Sequence, residues 1–368
     1  MAFKRVLSIG GATIDTIISY EEMETMQIHK TKSLQSYLLL EEGAKIEVTD
    51  QKIYSGGGAT NAAVSFKRQG YDVAFFGKVG HDRYGDMLLD ELTNVGINVS
   101  YARRSNTYAT ANSFIVPSLK GDRTVFAYRG ANTSVLTEDL PEEAIQSSDF
   151  VYVTSLSKDS AARFPEIVKL ANQCGSKVAI NPGNSQLVLG SGFVKSALGG
   201  VDIMLLNYEE AQLLMVSLIS TDKHMKETLA QMNDHHGEEL LGNQFQCEGV
   251  FFSLRQFFKV VLDLGPRIVV VTNGSEGVYV ATNEKLYFHP AHQSGKIINT
   301  LGAGDAFASA FVGSIYADKS VEEAICCGIL NSASVICHPD AKTGLLTTDE
   351  YKEAVKQLGQ KLLVTNDW

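Results

Sequence analysis

Short apolar runs alternating with helix-length stretches constrain this chain more than any other feature. Val6-Leu7-Ser8-Ile9, Val73-Ala74-Phe75-Phe76, Phe150-Val151-Tyr152-Val153, Lys177–Ile180, Asp202–Leu206 and Arg267–Val271 each have the length of a buried strand. Between them Ala59–Gly70, Arg83–Val95, Ala161–Cys174 and Tyr208 to about Leu218 carry helical patterns. Strands apolar on both faces must be covered on both, and parallel neighbours need a crossover long enough to hold a helix. The alternation predicts an α/β fold: a central, mostly parallel sheet with helices on both faces.

Two stretches break the rhythm. Residues 16–54 are polar and β-like, with Ser36–Leu40 and Lys45–Val48 as expected strands; residues 106–129 read as a hairpin, Tyr108–Val116 and Arg123–Tyr128 around Lys120-Gly121-Asp122. They are expected either to form a small sheet that covers a site at the strand ends, or to be edge hairpins with no such role. The division that follows is a core of residues 1–15, 55–105 and 130–368 and a small β lid of 16–54 and 106–129. Residues 219–260 are long for a connection in such a fold. His235-His236 within them is a poor chelate, because adjacent side chains diverge, and a solvated turn is expected there; His224 lies in the same segment. Phe251–Phe258 is expected to be a helix packed on the core.

The balance of 32 basic and 42 acidic residues gives a formal charge of -10 and no basic stripe, so nucleic acid is not an expected partner. The 5 cysteines are odd in number and no pair has metal or redox spacing; Cys326 and Cys327 read as core residues of a helix. With no apolar signal segment and no run of about 20 apolar residues, a cytoplasmic, reducing, non-membrane setting is expected.

The run Asn299-Thr300-Leu301-Gly302-Ala303-Gly304-Asp305-Ala306-Phe307 puts small residues and a carboxylate where a turn becomes an apolar helix. The first N–H groups of that helix lack intrahelical partners and favour an anion, and glycine lets a bulky group approach the backbone. Asp305 cannot itself ligate a phosphate, since like charges repel. It can take a proton from a hydroxyl beside one, while the N–H groups stabilise the charge that develops. The alternative is an ordinary glycine turn capped by Asp305. Ser55-Gly56-Gly57-Gly58-Ala59-Thr60-Asn61 is a second such turn, and its entropic cost points to a ligand contact. Asp15 stands just beyond the first strand, where ligands bind in open α/β sheets. Asn207 and Glu210 share a helix face, either positioning hydrated Mg2+ and phosphate oxygens or forming a capping box, two readings that are compatible. Thr272-Asn273-Gly274-Ser275-Glu276-Gly277 offers a hydroxyl and flexible backbone to a nucleotide phosphate. There is no Walker sequence.

Taken together these pieces, with Gly77-Lys78-Val79-Gly80-His81-Asp82-Arg83-Tyr84-Gly85, resemble the ribokinase-like (PfkB) family of carbohydrate and nucleoside kinases. They occur in the family's order over nearly the whole chain. The resemblance implies a three-layer α/β/α core, a small β lid, ATP, Mg2+ and phosphorylation of an alcohol, commonly a primary hydroxyl. It implies Asp305 as base, the N–H groups of Gly302, Ala303 and Gly304 as anion hole, and Asp15, Gly57 and Asn61 on the acceptor's hydroxyls. It further implies Asn207 and Glu210 organising Mg2+ through water, Thr272, Gly274 and Gly277 on the nucleotide phosphates, and Asn331 lining the nucleotide base. Residues 338–344 match a loop that in many members helps to hold K+.

Two residues depart from the family pattern. Asn299 stands where aspartate is common, which weighs against K+ as a further cofactor. Gly58 stands where ribose-specific members commonly carry lysine, which weighs against ribose itself. A small sugar or sugar derivative is the leading acceptor, because Asp15 and Asn61 need only recognise a vicinal diol. The alternative is an adenosine-like nucleoside, whose base would need a platform such as Tyr37, Leu39, Tyr108, Phe114 or Phe126. A catalytically inactive regulatory protein of the same fold is a second alternative, opposed by Asp305 and both glycine turns. A homodimer through exposed lid strands and a monomer both stay open.

Overall fold

The computed structural model describes residues 4–19, 24–30, 33–117, 123–188, 196–221, 244–247, 250–358 and 361–366. Among these, a nine-stranded sheet runs in the order Leu363–Asn366, Lys285–His289, Val278–Ala281, Ile268–Thr272, Ile203–Asn207, Lys177–Ile180, Phe150–Val153, Arg5–Ile9, Asp72–Phe76. From Ile268–Thr272 to Asp72–Phe76 all pairings are parallel. The other three strands extend the edge antiparallel, an extension the apolar alternation did not announce.

Each strand feeds two cores by simple alternation. Leu7, Ile9, Val151, Val153, Ile180 and Met204 pack with helices Phe164–Cys174, Tyr208–Thr221 and Leu254–Asp263. Val6, Phe150, Tyr152, Ala179 and Ile203 pack with helices Gly58–Arg68, Ala303–Tyr316 and Val321–Val335. Helix, sheet, helix: the three layers follow from strands apolar on both sides. Cys326 and Cys327 are buried in the last helix, as expected. No helix among the described residues is long and apolar enough to cross a membrane.

A second, four-stranded sheet is ordered Arg123–Tyr128, Asn112–Pro117, Thr13–Ser19, Asp50–Gly56. Its strands reach Thr13 and Gly56, so it is rooted in the residues after the first core strand and in the glycine turn. A separate hairpin, Glu24–Lys30 with Ser33–Leu39, sets Leu38 against Ile18 and Val116.

Several sequence expectations shift. Lys45–Val48 is irregular rather than a strand; Ile46 and Val48 are both exposed, so alternation there has no face to bury. The strand expected from Tyr108 starts only at Asn112, because Thr110 is drawn off to Asp82, which accepts from its N at 2.7 Å and its Oγ1 at 2.6 Å. Within the motif Gly77–Gly85, Lys78–Gly80 is a short strand paired with Arg103–Ser105. The helix expected from Ala161 opens as a 3-10 segment, Lys158–Arg163, and becomes α-helical at Phe164, where Pro165 fits a first turn. Phe251–Phe258 divides at Ser253: strand Val250–Ser253 precedes helix Leu254–Asp263, because Ser253 and Gln256 form a capping box. Phe257 and Phe258 do pack into the core. His224, His235, His236 and Lys120-Gly121-Asp122 lie outside the described residues.

Candidate active site

The parallel strands end on one side of the sheet, and their next residues converge there. Asn181, Asn207 and Thr272 stand at the ends of adjacent strands and face the start of helix Ala303–Tyr316. With Arg123, Glu210, Thr300, Gly302, Gly304, Asp305 and the apolar walls Phe307 and Ala308 they line a cavity of about 250 Å³. The expected residues Asn207, Glu210, Thr272, Gly302, Gly304 and Asp305 are thus brought together from sites far apart in the chain.

Gly302 caps the helix at φ 76°, a left-handed conformation, and its lack of a side chain is forced: a methyl group would collide with Ala341. It supplies no side-chain cap, and the helix N-terminus opens on the cavity. The Ala303 N–H turns back to Thr300 O at a long 3.4 Å. Gly304 differs from Gly302, since a methyl group there would meet nothing within 4 Å. Protein packing does not require that glycine.

Asp305 sits in the first turn of this helix, and Asn61 Nδ2 donates to its Oδ2 at 2.8 Å. Burial raises the Asp305 carboxyl above its ordinary value, with the Asn61 bond opposing. Asn61 Oδ1 is buried and has no protein partner. Asp15 is also buried and also raised, mainly by desolvation; Ser113, Lys342 and Arg123 lower it while Asp305 raises it. Its Oδ2 lies against Gly56, where any side chain would displace it. Gly57, at φ 101°, lies against the Gly11 carbonyl. Asp15 and Asn61, two of the residues expected on the acceptor's hydroxyls, thus both interact with Asp305, and Gly57 sits in the turn between them.

Asn207 and Glu210 form a reciprocal cap: Asn207 N donates to Glu210 Oε2 at 2.9 Å, and Glu210 N donates to Asn207 Oδ1 at 2.8 Å. Burial, which comes first, and the nearby Asp305 raise the Glu210 carboxyl, while the Asn207 bond lowers it. The cap holds both side chains at the cavity wall. Among the described residues no group of three or more His, Cys, Asp or Glu is placed to hold a metal ion by itself.

Gly274 and Gly277 are not part of this lining; they shape the turn after Thr272 at φ 51° and 128°, and a side chain on Gly277 would collide with His289 O. Asn331 is fully buried, its Nδ2 donates to Ala306 O at 2.8 Å and Ser65 Oγ at 3.3 Å, and its Oδ1 accepts from Leu346 N at 2.8 Å. Its amide ties two helices and a loop. Asn331→Ala should therefore lower stability by about 2–4 kcal/mol, since several buried groups lose their partner, while the KM for ATP stays unchanged; urea melts and initial rates test this. A raised KM at unchanged stability would restore the nucleotide role.

Sequence reasoning missed Arg123, Asn181, Thr300 and Lys342. Asn181 had a signal, a polar residue after an apolar strand and before Pro-Gly. Arg123 had only strand parity: it shares a sheet face with Asp15, Ser113 and Ile115. From there its Nη1 donates to Thr300 Oγ1 at 2.6 Å, bridging the four-stranded sheet and the glycine turn. Phe114 and Phe126 pair directly but stand on the opposite face, so neither can floor the Asp15 side of that sheet.

The profile of the pfkB family carbohydrate kinases matches residues 14–244 and 252–348. The chain belongs to that family. A PfkB-family chain carries the family's general activity, ATP-dependent phosphorylation of a sugar or nucleoside. It is similar to the ATP-dependent ribose-1-phosphate kinase of Halopiger xanaduensis, at 27% identity over 298 residues, 80% of this chain and 86% of that one. Its fold resembles that of Arabidopsis thaliana ribokinase complexed with ribose and ATP, at TM-score 0.71 and 20% identity over 97% of this chain and 99% of that one. It also resembles the nucleoside kinase of Methanocaldococcus jannaschii, at TM-score 0.69 and 18% identity over 96% and 99%.

Proposed function

We propose that this PfkB-family protein transfers the γ-phosphoryl group of ATP to a hydroxyl of a small sugar or sugar derivative, with Asp305 as general base. The observation that carries the reading is Asp305 itself: a half-buried carboxylate, raised by desolvation, in the first turn of a helix whose N-terminus opens on the same cavity. A carboxylate of raised basicity is suited to take a proton near neutral pH. Asp15 and the unpartnered Asn61 Oδ1 would orient the acceptor, leaving one hydroxyl toward Asp305. The N–H groups at Gly302, Ala303 and Gly304 would stabilise the charge on the transferred oxygens.

Asn207, Asn181 and Thr272 would hold nucleotide phosphates, and Glu210 would hold Mg2+ through water. The donor set fits, because Mg2+ is commonly held by one or two carboxylates plus substrate phosphates and keeps several waters. When bound, Mg2+ supplies neutralising charge to the phosphate oxygens. Arg123 would bring a lid cation over the same oxygens. Arg123→Met should cost one charge-assisted hydrogen bond, about 1.5–3 kcal/mol or ~10- to 100-fold in kcat, with the melting temperature unmoved. Steady-state rates and a thermal melt read both.

The face of the lid on which Asp15 stands carries Ser113, Ile17, Ile115, Val125, Arg123 and one aromatic ring, Tyr54, directly paired with Asp15, so a nucleoside stays the alternative acceptor to a sugar. Arg123 also suits an acceptor that already carries a phosphate. K+ should be dispensable: Asn299 Nδ2 donates to Pro339 O at 3.0 Å, a bond that aspartate could not make and that joins the two loops directly. The outward lid residues Phe114, Phe126 and Ile53, each more than a third exposed, would be covered by a second copy in a homodimer. A transfer screen with Mg-ATP over free sugars, sugar phosphates and nucleosides, with and without K+, tests the reading. ADP formation that depends on a sugar supports it; ADP formation independent of every alcohol offered overturns it.

A further inference from the structure

Lys342 is a buried lysine for which the phosphoryl-transfer reading has no role. Its side chain is 10% exposed, and its Nζ donates to Ser55 Oγ at 2.6 Å and to Glu91 Oε1 at 3.0 Å. Burying an ammonium is costly, and one carboxylate that is itself 37% exposed makes a poor return in stability. Geometry gives a better reason for it to be there.

Three elements meet at this ammonium. Its own loop is braced by Asp340, whose Oδ1 accepts from Lys342 N and Thr343 N, both at 2.7 Å. The preceding residue, Ala341, is the one that forbids a side chain on Gly302, so the loop backs the anion-binding turn. Ser55 belongs to the lid strand Asp50–Gly56 and is followed by Gly56, against which the Asp15 carboxylate rests. Glu91 lies on helix Arg83–Asn94, whose cap Asp82 holds Thr110 just before the lid strand Asn112–Pro117. One charged group thus joins the wall of the phosphate turn to the roots of two lid strands.

We propose that Lys342 is a positioning residue: it fixes the lid root at Ser55, and with it the acceptor carboxylate Asp15, against the loop that backs Gly302. The proposal rests on Asp15 holding the acceptor. The charged and titratable groups around Asp15 are Lys342 from the loop, Asp305 from the helix after the glycine turn, Arg123 from the far lid strand, and Tyr54 from the paired strand. Of these, Lys342 and Arg123 favour the ionised carboxylate and Asp305 opposes it. Removing the Lys342 charge therefore moves the Asp15 carboxyl upward. Binding that needs ionised Asp15 is lost as pH falls through its pKa, so that loss then begins at higher pH.

The test compares K342M, K342R and the wild type with Mg-ATP and four acceptor probes: D-ribose, D-ribose 1-phosphate, D-fructose 6-phosphate and adenosine. For whichever probe the wild type phosphorylates, K342M should raise the acceptor KM ~20-fold, as for one charge-assisted bond, and shift its acid limb upward. The KM for ATP should stay within about twofold, because the nucleotide side is untouched. K342R, which keeps the charge, should keep the wild-type pH limb. An acceptor KM and limb unchanged in K342M, or equal losses for ATP and acceptor, would overturn the proposal.

If K342M does not fold, S55A cuts only the tether at the lid root, and a selective rise in acceptor KM there supports the proposal while none overturns it. If the wild type phosphorylates no probe, the sugar-kinase reading fails by itself. Hydrogen exchange then decides on Lys342. Faster exchange at residues 13–19 and 50–58 in the variant, with 303–316 unchanged, supports it, and no difference overturns it.

Discussion

Replacing Asp305 by Asn should reduce kcat by about 10²–10⁴-fold, the usual contribution of a positioned general base, while the protein becomes more stable at neutral pH. The two effects share one origin. Burial raises the Asp305 carboxyl above its ordinary value, so folding disfavours its ionised form. A group raised in the folded state contributes stability that is present below its unfolded pKa and lost as pH rises through its folded pKa. At pH 7 to 8 the wild type carries that cost, and the neutral amide removes it while keeping an oxygen to accept from Asn61. Melting temperatures of the two proteins should therefore converge as pH is lowered toward 4. The wild-type rate should also fall on the acid side at a pH above the ordinary carboxylate range, a limb absent from the residual activity of Asp305→Asn. Unchanged kcat in the variant would remove Asp305 from the chemistry.

Gly304→Ala separates ligand demand from folding demand at the same turn. A methyl group at position 304 meets no protein atom within 4 Å, and the residue lies in the first turn of a helix. Folding should tolerate the change or gain about 0.5–1 kcal/mol from the lost glycine entropy. The methyl group would nevertheless stand where the transferred phosphoryl group must approach the N–H groups. Activity should fall ~10²- to 10³-fold, as when a donor to a developing oxyanion is removed. Gly302→Ala makes the contrast, because Ala341 and a φ of 76° forbid it, and it should unfold the turn. A Gly304→Ala protein that is both stable and fully active would show that the turn binds no phosphoryl group.

Much of the fold could be read directly from local pattern. Val6–Ile9 and Phe150–Val153 are apolar on both faces, and a strand of that kind has few places to go except between two helical layers. The glycine turns at 56–58 and 302–304 were visible for a similar reason, and Gly56, Gly57 and Gly302 are indeed pressed against neighbouring protein atoms, while Gly304 is not. The rest depended on partners distant in the chain. Arg123 reaches Thr300 across 177 residues, and Lys342 reaches Ser55 across 287. Strand parity, unknown until register was fixed, put Phe114 and Phe126 on the outer face of the lid. The partners of Asn331 were equally out of reach, since Ser65, Ala306 and Leu346 come from three distant parts of the chain. Thr110 left its expected strand for Asp82, a competition that composition does not reveal.

The most direct test of the central claim is phosphorus NMR of the wild-type protein incubated with Mg-ATP and a mixture of sugars and sugar phosphates. The account expects one new phosphomonoester resonance for each ADP formed, little inorganic phosphate, and neither product from Asp305→Asn on the same timescale. Inorganic phosphate appearing in step with ADP, with no sugar phosphate ester formed, would contradict it.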